Sequence, residues 1–202
     1  MERPFIWLIL LFISLNTGAQ PIWQIERHQD SIKILKNGYP LLPFSVTEVA
    51  AFSEGKTWIS RGGKYAYIDT SGTLLTDTLY DVVFPFHEGF AVIGKDTLFG
   101  VIDSLGQEIA APYYDWIEPF QNKFAVIKKD GYWGLMDSTG YEWYEPAADE
   151  PLIRMNQNRW AIKYRGKWGV LDQKAMILYP FKYDAILKDG TAWVNGEKLK
   201  LE

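Results

Sequence analysis

The sequence of 202 residues contains no cysteine and only two histidines, and these scarcities exclude several kinds of chemistry. Without cysteine there is no disulfide bond, zinc–thiolate site, thiol nucleophile or lipid-modified cysteine. His28 and His87 lie outside any metal-binding or nucleophile motif, so we interpret them as surface residues. The sequence therefore predicts no catalytic residue, no metal site and no cofactor, and we interpret the protein as a non-enzyme.

Clustered positive charge and long hydrophobic runs are scarce as well. The net charge is −4 and the lysines are scattered, which argues against binding to nucleic acid. One apolar run, residues 5–15, is shorter than the roughly 20 residues that a bilayer-spanning helix needs. A charged start and a small-residue end at Ala19 make residues 1–19 a predicted signal peptide, with an uncleaved anchor as the alternative. We therefore expect a periplasmic or extracellular protein without a membrane span after cleavage.

What the chain does contain is an internal repeat rich in aromatic residues, which make up 16% of the sequence. The clearest copy is Phe124–Gly140, and it has an apolar run, a Lys-Asp-Gly turn, an aromatic-Gly pair, a second apolar run and Asp-x-x-Gly. The other copies are Phe90–Gly106, Lys56–Gly72, and Trp160–Ala175 with a shorter first turn. The aspartates of these copies are spaced by 34, 34 and 35 residues and are Asp69, Asp103, Asp137 and Asp172. A constant spacing of this kind indicates a repeat architecture.

Each copy is followed by an apolar pair, and a Tyr-Asp dipeptide near a Pro-Phe dipeptide follows in most copies. This pattern resembles the WG-repeat family of bacterial proteins. The dipeptide that names the family occurs as Trp133-Gly134 and Trp168-Gly169. The resemblance implies a β-repeat protein and assigns no chemistry to it.

The repeat predicts one domain over residues 20–202, preceded by the signal peptide. Its units are a degenerate unit (20–51), four clear units (52–85, 86–119, 120–154 and 155–188) and a C-terminal hairpin cap (189–202). Atypical terminal units are expected, because the ends of a repeat array face water instead of a neighbour.

Alternating apolar and polar residues within each unit predict an all-β fold. We expect antiparallel units of three short strands, with a period of about 34 residues, stacked as an open, solenoid-like array. A closed, propeller-like ring is the alternative. In each Asp-x-x-Gly turn the carboxylate is expected to accept backbone N–H bonds, and glycine to adopt positive φ. Ala175 replaces that glycine in one unit, which predicts a changed or strained turn.

Four residues depart from the repeat and are the candidates for binding; the alternatives are core packing for Trp116 and a plain solvated loop for the acidic segment. Trp116 follows a Tyr-Asp dipeptide where other units have small residues, and a large ring there could stack on a sugar or a protein. Tyr141, Glu142 and Glu145 lie in an aromatic and acidic segment whose counterpart is missing from the other units.

We favour a protein-interaction module for a protein partner or a cell-surface polymer. A glycan-binding module that uses Trp116 is the alternative, and an envelope hydrolase with carboxylates within residues 142–150 is the weakest hypothesis. The oligomeric state stays open.

Overall fold

A computed structural model describes residues 22–76, 80–156, 159–172 and 174–201. The predicted signal peptide, residues 1–19, lies outside these residues. Secondary structure within the described ranges consists of β-strands and turns, which confirms the all-β prediction. No helix long and apolar enough to cross a membrane occurs in this part of the chain.

The strands form six antiparallel sheets, in which strands that follow one another in sequence are also neighbours in space. Sheet 1 contains β1 (Trp23–His28), β2 (Ser31–Lys36) and β3 (Tyr39–Pro40), and sheet 2 contains β4 (Glu48–Val49), β5 (Lys56–Arg61) and β6 (Lys64–Asp69). Sheet 3 contains β7 (Val82–Val83), β8 (Ala91–Lys95), β9 (Leu98–Ile102) and β10 (Glu108–Tyr114).

The second half of the chain continues the same pattern. Sheet 4 contains β11 (Trp116–Ile117), β12 (Phe124–Lys129), β13 (Tyr132–Asp137) and β14 (Glu142–Ala148). Sheet 5 contains β15 (Ile153–Asn156), β16 (Arg159–Tyr164), β17 (Lys167–Asp172) and β18 (Ile177–Tyr183). Sheet 6 contains β19 (Ala185–Ile186), β20 (Thr191–Val194) and β21 (Glu197–Lys200).

The tandem antiparallel sheets confirm the predicted repeat, and the number of strands differs from the prediction in sheets 3, 4 and 5. These sheets have four strands each, whereas sheets 1, 2 and 6 have the three that were expected. The additional strand is a short one, such as β11, which pairs with the first strand of the following hairpin. Strand β11 follows directly after Tyr114-Asp115, at the end of a sequence unit. Each four-stranded sheet therefore begins with residues from the end of one unit and continues with residues of the next.

The hydrophobic core is divided into five clusters, and each cluster joins two successive sheets. Alternation along β12 explains how one strand serves two clusters. Ile127 packs toward sheet 3, whereas Val126 packs toward sheet 5. Among the described residues no cluster joins sheet 1 to sheet 6. The choice between an open array and a closed ring stays a prediction.

The Asp-x-x-Gly turns have the geometry that the sequence predicts. Asp137 Oδ1 accepts hydrogen bonds from the backbone N of Thr139 at 2.8 Å and of Tyr141 at 3.2 Å, and Gly140 has a φ of 85°. Ala175 adopts a φ of 57° and its backbone N still donates to the Asp172 carbonyl at 3.1 Å. The turn type is therefore kept in the last clear unit, at the cost of a strained alanine.

The glycine of the Trp-Gly pair lies where two strands approach closely. A Cβ atom at Gly134 would lie 2.6 Å from the carbonyl oxygen of Tyr144, and one at Gly100 would lie 2.5 Å from that of Ala110. Both carbonyls belong to the outer strand of the sheet, where the pairing register shifts. Glycine at these positions therefore allows an irregular outer strand to pack against the hairpin.

Candidate functional site at the junction of sheets 4 and 5

The four residues predicted to bind do not form one site. Trp116 lies on β11, whereas Tyr141, Glu142 and Glu145 lie next to or on β14, and these strands are the two opposite edges of sheet 4. Three strand spacings separate the edges, which is about 14 Å. Trp116 and the acidic segment therefore serve different surfaces.

Trp116 is half packed and half open. The side chain is 40% exposed, and its ring makes edge contacts with Phe99 at 5.4 Å and Phe84 at 6.5 Å between centroids. Both phenylalanines belong to the preceding sheet or its loop. One part of the indole therefore closes the junction between sheets 3 and 4, and the other part faces solvent.

Glu142 belongs to a repeated contact, contrary to the interpretation that its segment lacks a counterpart. The Tyr114 hydroxyl donates to Glu142 Oε1 at 2.7 Å, and one unit earlier the Tyr80 hydroxyl donates to Glu108 Oε1 at 3.4 Å. Burial, reinforced by the bonded Glu142 carboxylate, raises the pKa of Tyr114. The glutamate ties one sheet to the next, and the spacing of 34 residues between Glu108 and Glu142 is the sequence signal that reveals it.

The neighbouring carboxylates also have structural contacts. Asp149 Oδ2 accepts the backbone N–H of Gly166 at 2.7 Å, as Asp115 accepts that of Gly131 at 3.0 Å. Asp149 therefore keeps the role of the Tyr-Asp aspartate even though the preceding residue is alanine. Glu150 forms an ion pair with Lys163.

The two remaining residues of the segment are open to solvent. Glu145 is exposed, and Tyr141 is 65% exposed, with 5.9 Å between the centroids of its ring and that of Trp143. Their role in binding stays a prediction.

The strand register reveals a different departure from the repeat. In each hairpin, one residue of the first strand pairs with the residue immediately before the aspartate of the Asp-x-x-Gly turn, and these first-strand residues occupy equivalent positions in the repeat. In sheets 3 and 4 they are Ala91 and Ala125, and both are buried. In sheet 5 the equivalent residue is Trp160, which pairs with Leu171 and is 2% exposed. The sequence alignment placed Trp160 under Phe124, one position away, because it assumed a shorter first turn. Both hairpins in fact have two-residue turns.

A second exchange compensates for the size of Trp160. At the junction of sheets 3 and 4 the core cluster contains Tyr114 and Ala125. At the junction of sheets 4 and 5 the corresponding positions are Ala148 and Trp160, again in one cluster. The large residue is on the outer strand of the earlier sheet in the first junction and on the hairpin of the later sheet in the second. The core therefore stays filled, although a different pair of side chains fills it.

The loss of tyrosine at Ala148 coincides with the loss of its glutamate partner. Ile177 on β18 stands where Glu108 and Glu142 stand on the preceding outer strands. Ile177 is 60% exposed, and its neighbours Met176 and Leu178 are 64% and 44% exposed. We call these three consecutive exposed apolar residues, at the start of the outer strand β18, the β18 patch.

A cavity of about 240 Å³ lies on the opposite side of the same junction. Its lining comes from sheets 4 and 5 and from Lys188, and it includes Glu118, Arg154 and Trp160. The Arg154 guanidinium carbon lies 4.2 Å from the centroid of the Trp160 ring, and Nη2 donates to the Gln121 carbonyl at 2.5 Å. Burial lowers the pKa of Arg154 and raises that of Glu118, and each charge partly offsets the effect on the other.

A second cavity, of about 380 Å³, lies beside the hairpin of sheet 3. One of its carboxylates, Asp81, pairs with Lys64 and accepts the backbone N–H of Asp96 at 3.0 Å. This aspartate is the Tyr-Asp residue of its unit, so the cavity is a by-product of a repeated structural contact. The described residues contain no cluster of three or more side chains that could hold a metal ion.

Comparison with solved structures gives several distant matches. Hsv2 of Kluyvelomyces marxianus is 12% identical with a TM-score of 0.40, over 84% of this chain and 68% of that one. A structure described as the eukaryotic initiation factor is 12% identical with a TM-score of 0.47, over 92% of this chain and 60% of that one. PorZ of Porphyromonas gingivalis is 11% identical with a TM-score of 0.29, over 84% of this chain and 28% of that one. No curated protein sequence matches the chain.

Comparison with protein families gives a match to the family described as the WG containing repeat. It matches three segments, residues 65–96, 99–133 and 168–195. Trp168-Gly169 opens the third segment, and the related pairs Tyr65-Ala66 and Phe99-Gly100 open the first and the second. The predicted resemblance is thereby confirmed, and the chain carries WG repeats in these three segments.

Proposed function

We propose that this protein is a non-enzymatic interaction module and that the β18 patch binds an extended, apolar segment of a protein partner. The observation that carries the proposal is the replacement of a bonded glutamate by the exposed Ile177 on an outer strand. The all-β repeat fold and the family match support the coarser statement that the protein is a repeat module.

The argument for an extended partner rests on the position of β18. It is the last strand of its sheet, and no further strand pairs with its outer edge among the described residues. Charged side chains on edge strands discourage pairing with another chain. Glu108 and Glu142 provide that charge on β10 and β14, whereas Met176, Ile177 and Leu178 provide apolar surface instead. Pro180 cannot donate a hydrogen bond and confines pairing to the residues before it.

The acidic segment gives no support to a hydrolase. Glu142, Asp149 and Glu150 bind Tyr114, the Gly166 amide and Lys163, and these contacts hold sheets or turns together. A glycosidase needs one carboxyl group held as an acid and another free to act as a nucleophile or base. The contacts of these side chains therefore favour structural roles.

The β18 patch is tested by comparing two variants in the capture of proteins from an extract of the source cells. Ile177→Glu puts the repeat residue back on β18, and Leu105→Glu is the matched control, because Leu105 is 68% exposed on a turn of another sheet. We expect the wild-type protein and the Leu105→Glu variant to capture the same partner protein, and the Ile177→Glu variant to fail to capture it. Hydrogen exchange on the complex should show protection of the β18 backbone amides. Equal retention by all three proteins, or protection elsewhere only, would refute the proposal.

Glycan binding at Trp116 is a second candidate, because its indole is 40% exposed beside two other aromatic rings. Open aromatic faces stack well on sugars. Trp116→Ala should then abolish retention on a polysaccharide column, whereas Tyr132→Ala, which removes a 52% exposed ring elsewhere, should not. Equal retention of both variants would remove this candidate.

We further propose secretion, on the basis of the predicted signal peptide. The test is the mass of the mature protein from its source. A chain that begins at Gln20 supports cleavage after Ala19, and a chain that retains residues 1–19 supports the uncleaved anchor instead.

A further inference from the structure

Two hydrogen-bond donors beside the Arg154 cavity have no acceptor among the described residues. They are Nη1 of Arg154 and Nε1 of Trp160, and both atoms are buried. Burying a guanidinium or indole N–H without an acceptor is unfavourable, so such a donor requires a partner. Here the two donors belong to stacked side chains that line the same cavity of about 240 Å³.

The repeat itself does not require this pair. Arg154 and Trp160 stand directly opposite each other on β15 and β16. Continuing the register of β11 and β12 places Pro119 opposite Ala125 at the equivalent positions in sheet 4. Proline and alanine carry no side-chain donor. A plain core contact has therefore been replaced by two stacked side chains with spare donors.

The other walls of the cavity define what could fill it. Phe124, Val126 and Leu152 provide apolar surface, and Lys188 adds a second positive charge. Glu118 is half buried and is the one carboxylate among the described residues of the lining; burial raises its pKa, and the nearby Arg154 charge opposes that shift. Arginine stays charged under all ordinary conditions. The site thus combines two unpartnered donors on adjacent side chains, positive charge and an apolar wall.

We propose that this cavity binds a small organic carboxylate with an apolar body, whose oxygen atoms accept hydrogen bonds from Arg154 Nη1 and Trp160 Nε1. Carboxylates form the strongest hydrogen bonds with arginine, and apolar walls add the affinity of buried surface. This site is separate from the β18 patch and does not depend on the proposed protein partner.

Calorimetric titration with benzoate tests the proposal, and benzyl alcohol serves as a probe of similar shape without the charge. Benzoate should bind and benzyl alcohol should bind at least roughly tenfold more weakly, since a hydrogen bond to a charged group is worth that much or more. Similar affinities for the two probes, or no binding of benzoate at millimolar concentration, would overturn the proposal and indicate that water molecules accept the hydrogen bonds of the two donors.

Variants assign the binding to the two donors. Arg154→Leu and Trp160→Phe should each weaken benzoate binding by roughly tenfold or more, the second variant keeping an aromatic ring in the core. Arg61→Leu is the matched control, because Arg61 also stacks on an aromatic ring, that of Phe44 at 5.3 Å, far from the cavity lining. Unchanged affinity in both donor variants, or equal loss in the control, would contradict the assignment.

A gain of affinity provides a test that damage to the fold cannot imitate. Glu118→Gln removes the negative charge from the cavity, so it should tighten benzoate binding and leave the affinity for benzyl alcohol unchanged. Ile177→Glu should change neither, which separates this site from the β18 patch. Weaker benzoate binding by Glu118→Gln would contradict the proposed position of the carboxylate.

Discussion

The junction between sheets 3 and 4 and the junction between sheets 4 and 5 use the same positions with different residues. The first contains Tyr114 beside Ala125, with the tyrosine bonded to Glu142. The second contains Ala148 beside Trp160, and the position of the glutamate is taken by Ile177. Tyrosine, alanine and glutamate have thus changed together. This coordinated change keeps the core packed, exposes apolar residues on β18 and leaves two buried donors without an acceptor among the described residues beside the cavity.

The family match shows the same contrast. Two matched segments end at residue 133 or before it, and the third begins at residue 168. The unmatched stretch between them contains Ala148, Arg154 and Trp160. The donors of the cavity, Arg154 and Trp160, thus lie in the unmatched stretch, whereas the β18 patch lies within the third matched segment and Trp116 within the second.

The largest expected effect comes from truncating the tryptophan that distinguishes the second junction. Trp160→Ala should lower the free energy of unfolding by about 3–5 kcal/mol, because it opens a cavity in a cluster where Ala148 offers no compensating bulk. Denaturant unfolding measures the change. Trp116→Ala is the comparison, and its half-exposed ring should cost distinctly less. Equal losses would mean that Trp160 has no special role in the junction.

A slightly smaller effect is expected from adding a methyl group to the regular junction. Gly140→Ala should destabilise by about 2–3 kcal/mol, because the new Cβ would collide with the Ile109 carbonyl and because Gly140 has a φ of 85°. Thermal unfolding provides the measurement. A change below the precision of that measurement would show that the sheets can separate there.

Removing the tyrosine–glutamate bond tests what the regular junction gains from it. Tyr114→Phe should cost about 1–2 kcal/mol, since a hydrogen bond to a carboxylate is lost and the ring remains. Tyr183→Phe is the control on the last outer strand, where the described residues provide no acceptor for the hydroxyl. A larger loss in Tyr183→Phe than in Tyr114→Phe would contradict the comparison.

Low pH should destabilise the Asp-x-x-Gly turn of sheet 4, which contains Asp137. Burial alone would raise the pKa of Asp137, but hydrogen bonds from Thr139 and from Trp143 Nε1 at 2.6 Å hold it below its ordinary value. The stabilisation is present above the unfolded-state pKa of aspartate and is lost as the pH falls through the lower, folded-state pKa. Asp137→Asn should flatten the pH dependence of unfolding between pH ~5 and pH ~2. An unaltered profile would contradict this.

The smallest effect, and the one of opposite sign, concerns the strained turn of sheet 5. Ala175→Gly should stabilise the protein by a few tenths of a kcal/mol up to about 1 kcal/mol, because glycine accepts a φ of 57° without strain. The measurement is a shift of the denaturant midpoint. A destabilised variant would show that packing of the Ala175 methyl group outweighs the strain.

Much of the fold could be predicted from the sequence, because the signals are local. The strand alternation and the Asp-x-x-Gly turns are set by residues close to one another in the sequence, whereas the length of the hairpin turn in sheet 5 was misjudged. The short strand β11 was missed, since two residues carry no period, and its pairing with β12 depends on the stacking of whole units.

The candidate site was largely missed because it depends on register. Trp160 resembles the aromatic residue that opens other units, and only counting back from Asp172 shows that it occupies an alanine position. Glu142 was taken for an irregular residue because its partner, Tyr114, lies 28 residues away in the preceding sheet. Unpartnered donors such as Trp160 Nε1 are a property of packing and leave no mark in the sequence.

The most direct test of the account is to rebuild the second junction with the residues of the first. The variant Ala148→Tyr, Trp160→Ala, Ile177→Glu should recover most of the stability lost in Trp160→Ala, to within about 1 kcal/mol of wild type, because the three changes restore one coupled contact. Denaturant unfolding of this variant measures its stability, and benzoate titration measures its binding. The account predicts a stable fold that no longer binds benzoate. A variant as unstable as Trp160→Ala, or one that binds benzoate as wild type does, would contradict it.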